Sequence, residues 1–259
     1  MASSAAEPVP ITAAEGLARR SHALTLAALA LLVVLAWAWL IAGAGMAMSA
    51  PMPMPMPGTS GDRLLLATVM WAVMMVAMML PSAAPMILLF ARAGRHGRAP
   101  SYAPPTAVFM AGYLACWGGF SIIAAAAQVS LIDRAMADPM LLSLHGRALP
   151  SAALAVAGLY QLSPLKDRCL SQCRSPAQFL ARHFRPGARG AFRLGLIHGA
   201  YCVGCCWLLM ALLFVGGVMN LAWVAALTLL VAAEKTVGRW IARISGAALL
   251  IAAVVVALR

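Results

Sequence analysis

Seven runs of apolar residues, almost free of charge, constrain this chain more than any other feature. They cover residues 23–42, 64–90, 105–127, 149–165, 194–215, 221–237 and 241–258. A helix needs about 20 apolar residues to cross a bilayer core. The runs are continuous rather than alternating, which excludes a transmembrane β-barrel. Hydrophobic residues make up 63% of the chain and charged residues 10%, against roughly 45–50% and 25% in soluble domains. That balance excludes a soluble domain and a disordered chain. The expected fold is all-α: a polytopic transmembrane helix bundle of about seven helices. The fourth, sixth and seventh runs are short, so their ends are the least defined.

The formal net charge of +12 is first a topology signal, because Lys and Arg collect on the cytoplasmic side of membrane helices. With the N-terminus cytoplasmic, fifteen of the nineteen Lys and Arg residues fall inside. Arg63, Arg134, Arg147 and Arg259 fall outside. The expected organisation is a cytoplasmic tail (1–22), an anchor helix (23–44), a Met/Pro-rich outward loop (45–63) and a bundle (64–259). The bundle carries a basic, Cys-containing cytoplasmic loop at 166–193. The first run is longer than the usual core of a signal peptide, which favours an uncleaved anchor. The expected place is the bacterial cytoplasmic (inner) membrane, crossed several times. Aromatic residues barely interleave the basic runs, so nucleic acid is not an expected partner; the lipid bilayer is.

The sharpest cluster is His198-Gly-Ala-Tyr-Cys202-Val-Gly-Cys205-Cys206. At 100° per residue, His198 at 0° is followed by Cys202 near 40°, Cys205 near −20° and Cys206 near 80°, all within one helix face. Thiolates and imidazole are soft or borderline donors suited to Cu(I), Zn(II) or iron–sulfur centres. Polar groups inside a membrane are costly and tend to be functional. The competing reading is packing, since Cys behaves as a small hydrophobe. One helix cannot close a four-donor site, so a second helix or a partner must complete it.

Methionine forms the second pattern. Met70, Met74, Met75, Met78, Met79 and Met86 occupy one half of the second helix at 100° per residue. Thioethers select Cu(I) over hard ions, although Met also fills irregular cores. Pro81 and Pro85 predict a kink. The outward loop adds Met46 and Met48, then Met52, Met54 and Met56 in a Pro-Met alternation that favours an extended backbone. It reads either as a copper-capture segment or as a low-complexity tether.

Cys169 and Cys173 stand at i and i+4 in the basic loop, where they can share a helix face and pass a soft metal to the cytosol. Glu234 lies at the inner end of the sixth run, with Lys235, Arg239 or a group on the fifth helix as candidate partners. Asp133, Asp138 and His145, near an expected short surface helix, are weaker metal candidates because surface charges are mostly solvated. No Walker loop, GxSxG, HExxH or haem CxxCH motif is present. No catalytic set is therefore nominated.

Three stretches resemble a bacterial family of predicted metal-binding integral membrane proteins, some of them called copper chaperones. The first runs from Trp71 through Met78, Met79 and Pro81 to Pro85. The second contains Tyr160, Gln161, Pro164, Lys166, Cys169, Cys173 and Pro176. The third runs from His198 through Cys202, Cys205, Cys206 and Trp207 to Glu234 and Lys235. Together they span roughly residues 64–240. The resemblance implies a metal link but no mechanism.

The leading expectation is thus a membrane-embedded soft-metal binding protein. Copper as Cu(I) is the expected metal, with zinc or iron as alternatives. Its action would be metal transfer, transport or delivery to a membrane metalloenzyme, with a metallochaperone or that metalloenzyme as partner. Two other readings stay open: a thiol–disulfide relay using Cys202 and Cys205, and a non-catalytic assembly subunit. Small residues Gly195, Gly199 and Gly204 on the fifth helix would allow the close helix approach that assembly needs.

Overall fold

The computed structural model describes residues 11–49, 59–96, 106–138 and 142–259. Ten helices follow one another among them: α1 (Ile11–Ser49), α2 (Ser60–His96), α3 (Thr106–Asp133), α4 (Ala148–Gln161) and α5 (Pro164–Arg174). The chain continues through α6 (Pro176–His183), α7 (Gly187–Ala211), α8 (Leu213–Gly216), α9 (Leu221–Thr236) and α10 (Arg239–Leu258). Among the described residues no strand forms; one isolated bridge pairs Ala137 with Leu144. Helices satisfy their own backbone, as the membrane demands.

Five helices are long and apolar enough to cross a membrane: α1, α2, α3, α7 with its α8 extension, and α10. The bent pair α4–α5 makes a sixth if counted as one span. The remaining expected span, the sixth run, is α9, whose 16 residues fall short of a full crossing. It ends at Thr236, and Gly238, which caps the start of α10, has a φ of +133° that is open to glycine but rarely to other residues. The fourth run breaks after Gln161, where α4 and α5 meet at 64°. Sequence accounts for the break. Pro164 cannot extend α4 but suits the first turn of a new helix, and the Ser163 hydroxyl accepts from Lys166 N at 3.3 Å as the cap.

Three local readings change. Residues 166–193 are mostly helical, comprising α5, α6 and the start of α7, and α5 lies against α7. Helix α1 runs on through Met46 and Met48 to Ser49. Pro81 and Pro85, where a kink is expected, lie inside α2, which continues to His96; that reading stands unchanged. Near Asp138 the described backbone forms the Ala137–Leu144 bridge rather than a short surface helix.

Helices gain little from hydrophobic burial when the alternative is lipid, so close packing decides their association. The α3–α7 contact is the tightest example. A Cβ on Gly195 would lie 2.0 Å from Phe109 O, and one on Gly112 would lie 2.2 Å from Phe192 O. Only glycine lets these backbones approach so closely. That approach carries Tyr113 of α3 onto the cysteines of α7.

Candidate metal centre

Helix α7 buries His198, Cys202, Cys205 and Cys206. Its thiol-bearing stretch is met by α2, α3, α5 and α9. The Cys202 thiol lies 3.2 Å from the Tyr113 hydroxyl. Lys235 Nζ of α9 donates to the same sulfur at 3.0 Å and to Ser82 Oγ of α2 at 2.8 Å. The Cys206 thiol lies 3.8 Å from Met79 Sδ. Cys205 and Cys206 both donate to the Cys202 carbonyl, at 3.2 and 2.9 Å.

Helix α5 adds the second source of thiols. Cys173, one turn on from Cys169, lies beside Cys202 and Cys205. Cys169 packs on Gly204, where a Cβ would sit 3.1 Å from its sulfur. Two features separate in sequence, the α7 thiols and the Cys169/Cys173 pair, therefore meet in space. All six cysteines are free thiols. Among the described residues no three His, Cys, Asp or Glu side chains stand together as a ready metal site. The thiols spend their hydrogen bonds on the Cys202 carbonyl and on neighbouring side chains.

His198 is held apart by aromatic rings. Its ring centroid lies 5.2 Å from that of Phe179, 5.8 Å from Tyr113 and 6.2 Å from Phe109. Its Nδ1 is buried without a hydrogen-bond partner. Of the methionines on α2, Met74, Met75, Met78, Met79 and Met86 are buried and Met70 is half-buried. Among the described residues, Met79 is the α2 methionine whose sulfur meets a cysteine, Cys206. Its carbonyl also accepts from Tyr113 Oη at 3.2 Å and from Ser82 Oγ at 2.8 Å. Met52, Met54 and Met56 lie outside the described residues. Cys116 is half-buried on α3, beside Gly199.

Glu234 has a partner that sequence did not nominate. Its Oε2 takes the ammonium of Lys166 at 2.5 Å. Its Oε1 accepts from Gln161 Nε2 at 2.6 Å and from Ser245 Oγ at 3.2 Å. Lys166 also donates to Gln161 Oε1. All four side chains are buried, so Lys166 is an interior charge rather than a solvated topology charge. Adjacent residues thus serve different networks: Glu234 faces α4, α5 and α10, while Lys235 faces the thiols. Asp133 pairs with Arg63 at 2.8 Å on the surface.

Tyr113, Ser82, Gln161, Lys166 and Ser245 were not singled out from sequence as members of a site. The available signal was polarity within or beside apolar runs, which is expensive unless used.

The comparisons agree with the donor chemistry. The model of a family described as PpoB2, copper chaperone, matches residues 68–256. The chain belongs to the PpoB2 family. The match takes in every element that bears a described sulfur at the centre: α2, α5 and α7. No curated protein and no solved structure matches the chain. The PpoB2 description names copper, and thiols and thioethers are donor types that prefer Cu(I).

Proposed function

We propose that this chain is a membrane-embedded Cu(I) carrier. It holds the ion on two thiolates drawn from Cys202, Cys205 and Cys206, with Cys173 and Met79 as neighbouring donors, and passes it to another protein. The observation that carries this reading is convergence. Soft donors from α2, α5 and α7 meet beside a single ammonium, Lys235, at 3.0 Å from Cys202. A Cu(I) ion held by two thiolates carries one negative charge. Lys235 makes that assembly neutral, which matters because isolated charge is strongly disfavoured in a low-dielectric interior.

The basic side of the molecule is read as cytoplasmic and the Met46–Met56 segment as outward. Copper then meets thioethers outside and thiols within. His198 is placed at the edge of this centre, and Glu234 belongs to the Lys166 network rather than to the donor set. No enzymatic step is assigned.

A thiol–disulfide relay draws on one of the same observations, the approach of Cys173 to Cys202 and Cys205. Trapping the thiols in cells separates the two readings, because a relay must accumulate a disulfide or mixed disulfide during turnover. The deciding measurement is elemental analysis of anaerobically purified protein after Cu(I) loading. It compares wild type with Cys202/Cys205/Cys206→Ser. About one copper per chain, lost in the triple variant, is the expected result. No copper in either protein would remove the carrier reading.

A further inference from the structure

Helix α5 is an unusual ligand-bearing element. It has 11 residues, most of them polar, and a helix that short is marginal by itself. Leu165 is exposed and Leu170 is its one buried apolar side chain. Hydrophobic contact therefore does little to fix its rotation. The remaining buried side chain is Lys166, which is 0% exposed.

Lys166, Leu170 and Cys173 stand at i, i+4 and i+7, so they line one face of α5. At one end of that face Lys166 binds Glu234 and Gln161. Two turns further on, Cys173 stands where α5 lies against α7, one turn from Cys169, whose sulfur packs on Gly204 of α7. The Glu234 carboxylate is itself fixed by Gln161 and Ser245. A buried ion pair is a weak source of stability, but it is intolerant of misplacement, because a displaced charge loses its compensation. It is thus suited to setting geometry. Cys173, like Cys169, is half-buried, whereas Cys202, Cys205 and Cys206 are buried, so the α5 thiols are the ones open to an outside acceptor.

We propose that Lys166 and Glu234 are positioning residues that fix the rotation of α5, holding Cys173 over Cys202 and Cys205 as the thiol through which Cu(I) is exchanged. This rests on the carrier reading. In the exchange, a copper–sulfur bond to Cys173 forms as the bond to Cys205 breaks. The proton leaving the Cys173 thiol passes to the Cys205 thiolate, so charge is conserved and nothing is oxidised. Glu234 and Lys235 are consecutive on α9. One helix therefore sets both the α5 elbow and the counter-charge at Cys202.

The test has two readouts on full-length protein in detergent. Dibromobimane bridges neighbouring thiols without any metal, and mass spectrometry of the peptides identifies each bridged pair. Wild type is expected to give bridges from Cys173 to Cys202 or Cys205. Lys166→Met and the milder Glu234→Gln should cut these at least tenfold while leaving bridges within α7 intact. The exchange of charges, Lys166→Glu with Glu234→Lys, should restore them. Release of loaded Cu(I) to a water-soluble Cu(I) chelator should slow at least tenfold in Cys173→Ser and in Lys166→Met, with copper stoichiometry kept. Unchanged Cys173 bridging in both Lys166→Met and Glu234→Gln would overturn the positioning role. Unchanged release from Cys173→Ser would overturn the exchange role. Wild type that takes up no copper would remove the carrier reading and the exchange role with it, while the bridging pattern still decides the positioning.

Discussion

Lys235 Nζ, half-buried on α9, stands 3.0 Å from Cys202 Sγ of α7. An ammonium is retained in such a place only where something compensates it. Its recorded partners are a thiol and the Ser82 hydroxyl, neither of which is a carboxylate. The carboxylate next to it in sequence, Glu234, is spent on Lys166. Under the carrier reading, this ammonium is the counter-charge for a ligand set that is negative when it holds Cu(I).

Removing that charge tests the electrostatic half of the carrier reading. Lys235→Met keeps length and apolar bulk but leaves a copper dithiolate uncompensated. Cu(I) affinity is expected to fall about tenfold or more, which corresponds to about 1.4 kcal/mol at tenfold. Lys235→Arg should recover part of it, since the charge stays while the point geometry is lost. Competition with a chromophoric Cu(I) chelator measures both; equal affinity for Lys235→Met and wild type would show that Lys235 does not compensate the ion.

The methionines of α2 provide an internal control. Met79 is the one whose sulfur has a recorded contact with a cysteine, 3.8 Å from Cys206. Met→Leu swaps conserve volume and cost less than about 1.5 kcal/mol. Met79→Leu is expected to weaken Cu(I) binding several-fold, and Met75→Leu to leave it unchanged. X-ray absorption of the loaded proteins should show the change in sulfur ligation for Met79→Leu alone. Equal losses in both variants would make the methionines packing residues.

The helical bundle was legible because long uncharged runs have no other folded solution. The face shared by Cys202, Cys205 and Cys206 was legible because helical periodicity is fixed. The meeting of Cys173 with Cys202 was not, since it depends on the Pro164 elbow turning α5 back onto α7. The partner of Glu234 was missed for the same reason: a lysine in a basic stretch reads as a solvated topology charge until the elbow buries it. The tightness of the α3–α7 contact was only hinted at by glycines, because sequence shows small residues but not the backbone that each one faces.

That contact makes a stability prediction. At Gly195 a methyl group would overlap the Phe109 carbonyl, at 2.0 Å, and rigid backbone offers no escape. Gly195→Ala is expected to cost about 1–3 kcal/mol, in the range of overpacked cores. Gly118, with open space around its Cβ position, should accept alanine without loss. Thermal unfolding in detergent compares the two. Gly195→Ala should also weaken Cu(I) binding, since Tyr113 reaches Cys202 only across this interface. A Gly195→Ala protein as stable as wild type would mean that α3 and α7 do not pack this closely.

The Met46–Met56 segment makes a kinetic prediction rather than a thermodynamic one. Thioethers bind Cu(I) without losing a proton, so they hold it weakly and reversibly compared with thiolates. Under the carrier reading such a segment raises the local concentration of copper beside α2, without adding to what the protein holds at equilibrium. Replacing Met46, Met48, Met52, Met54 and Met56 by leucine should therefore slow loading of vesicle-inserted protein at limiting external Cu(I) by several-fold. Copper per chain at saturation should stay the same. Stopped-flow loading followed by elemental analysis separates the two quantities. Loss of stoichiometry would make the segment a storage site of its own, and an unchanged rate would make it a tether.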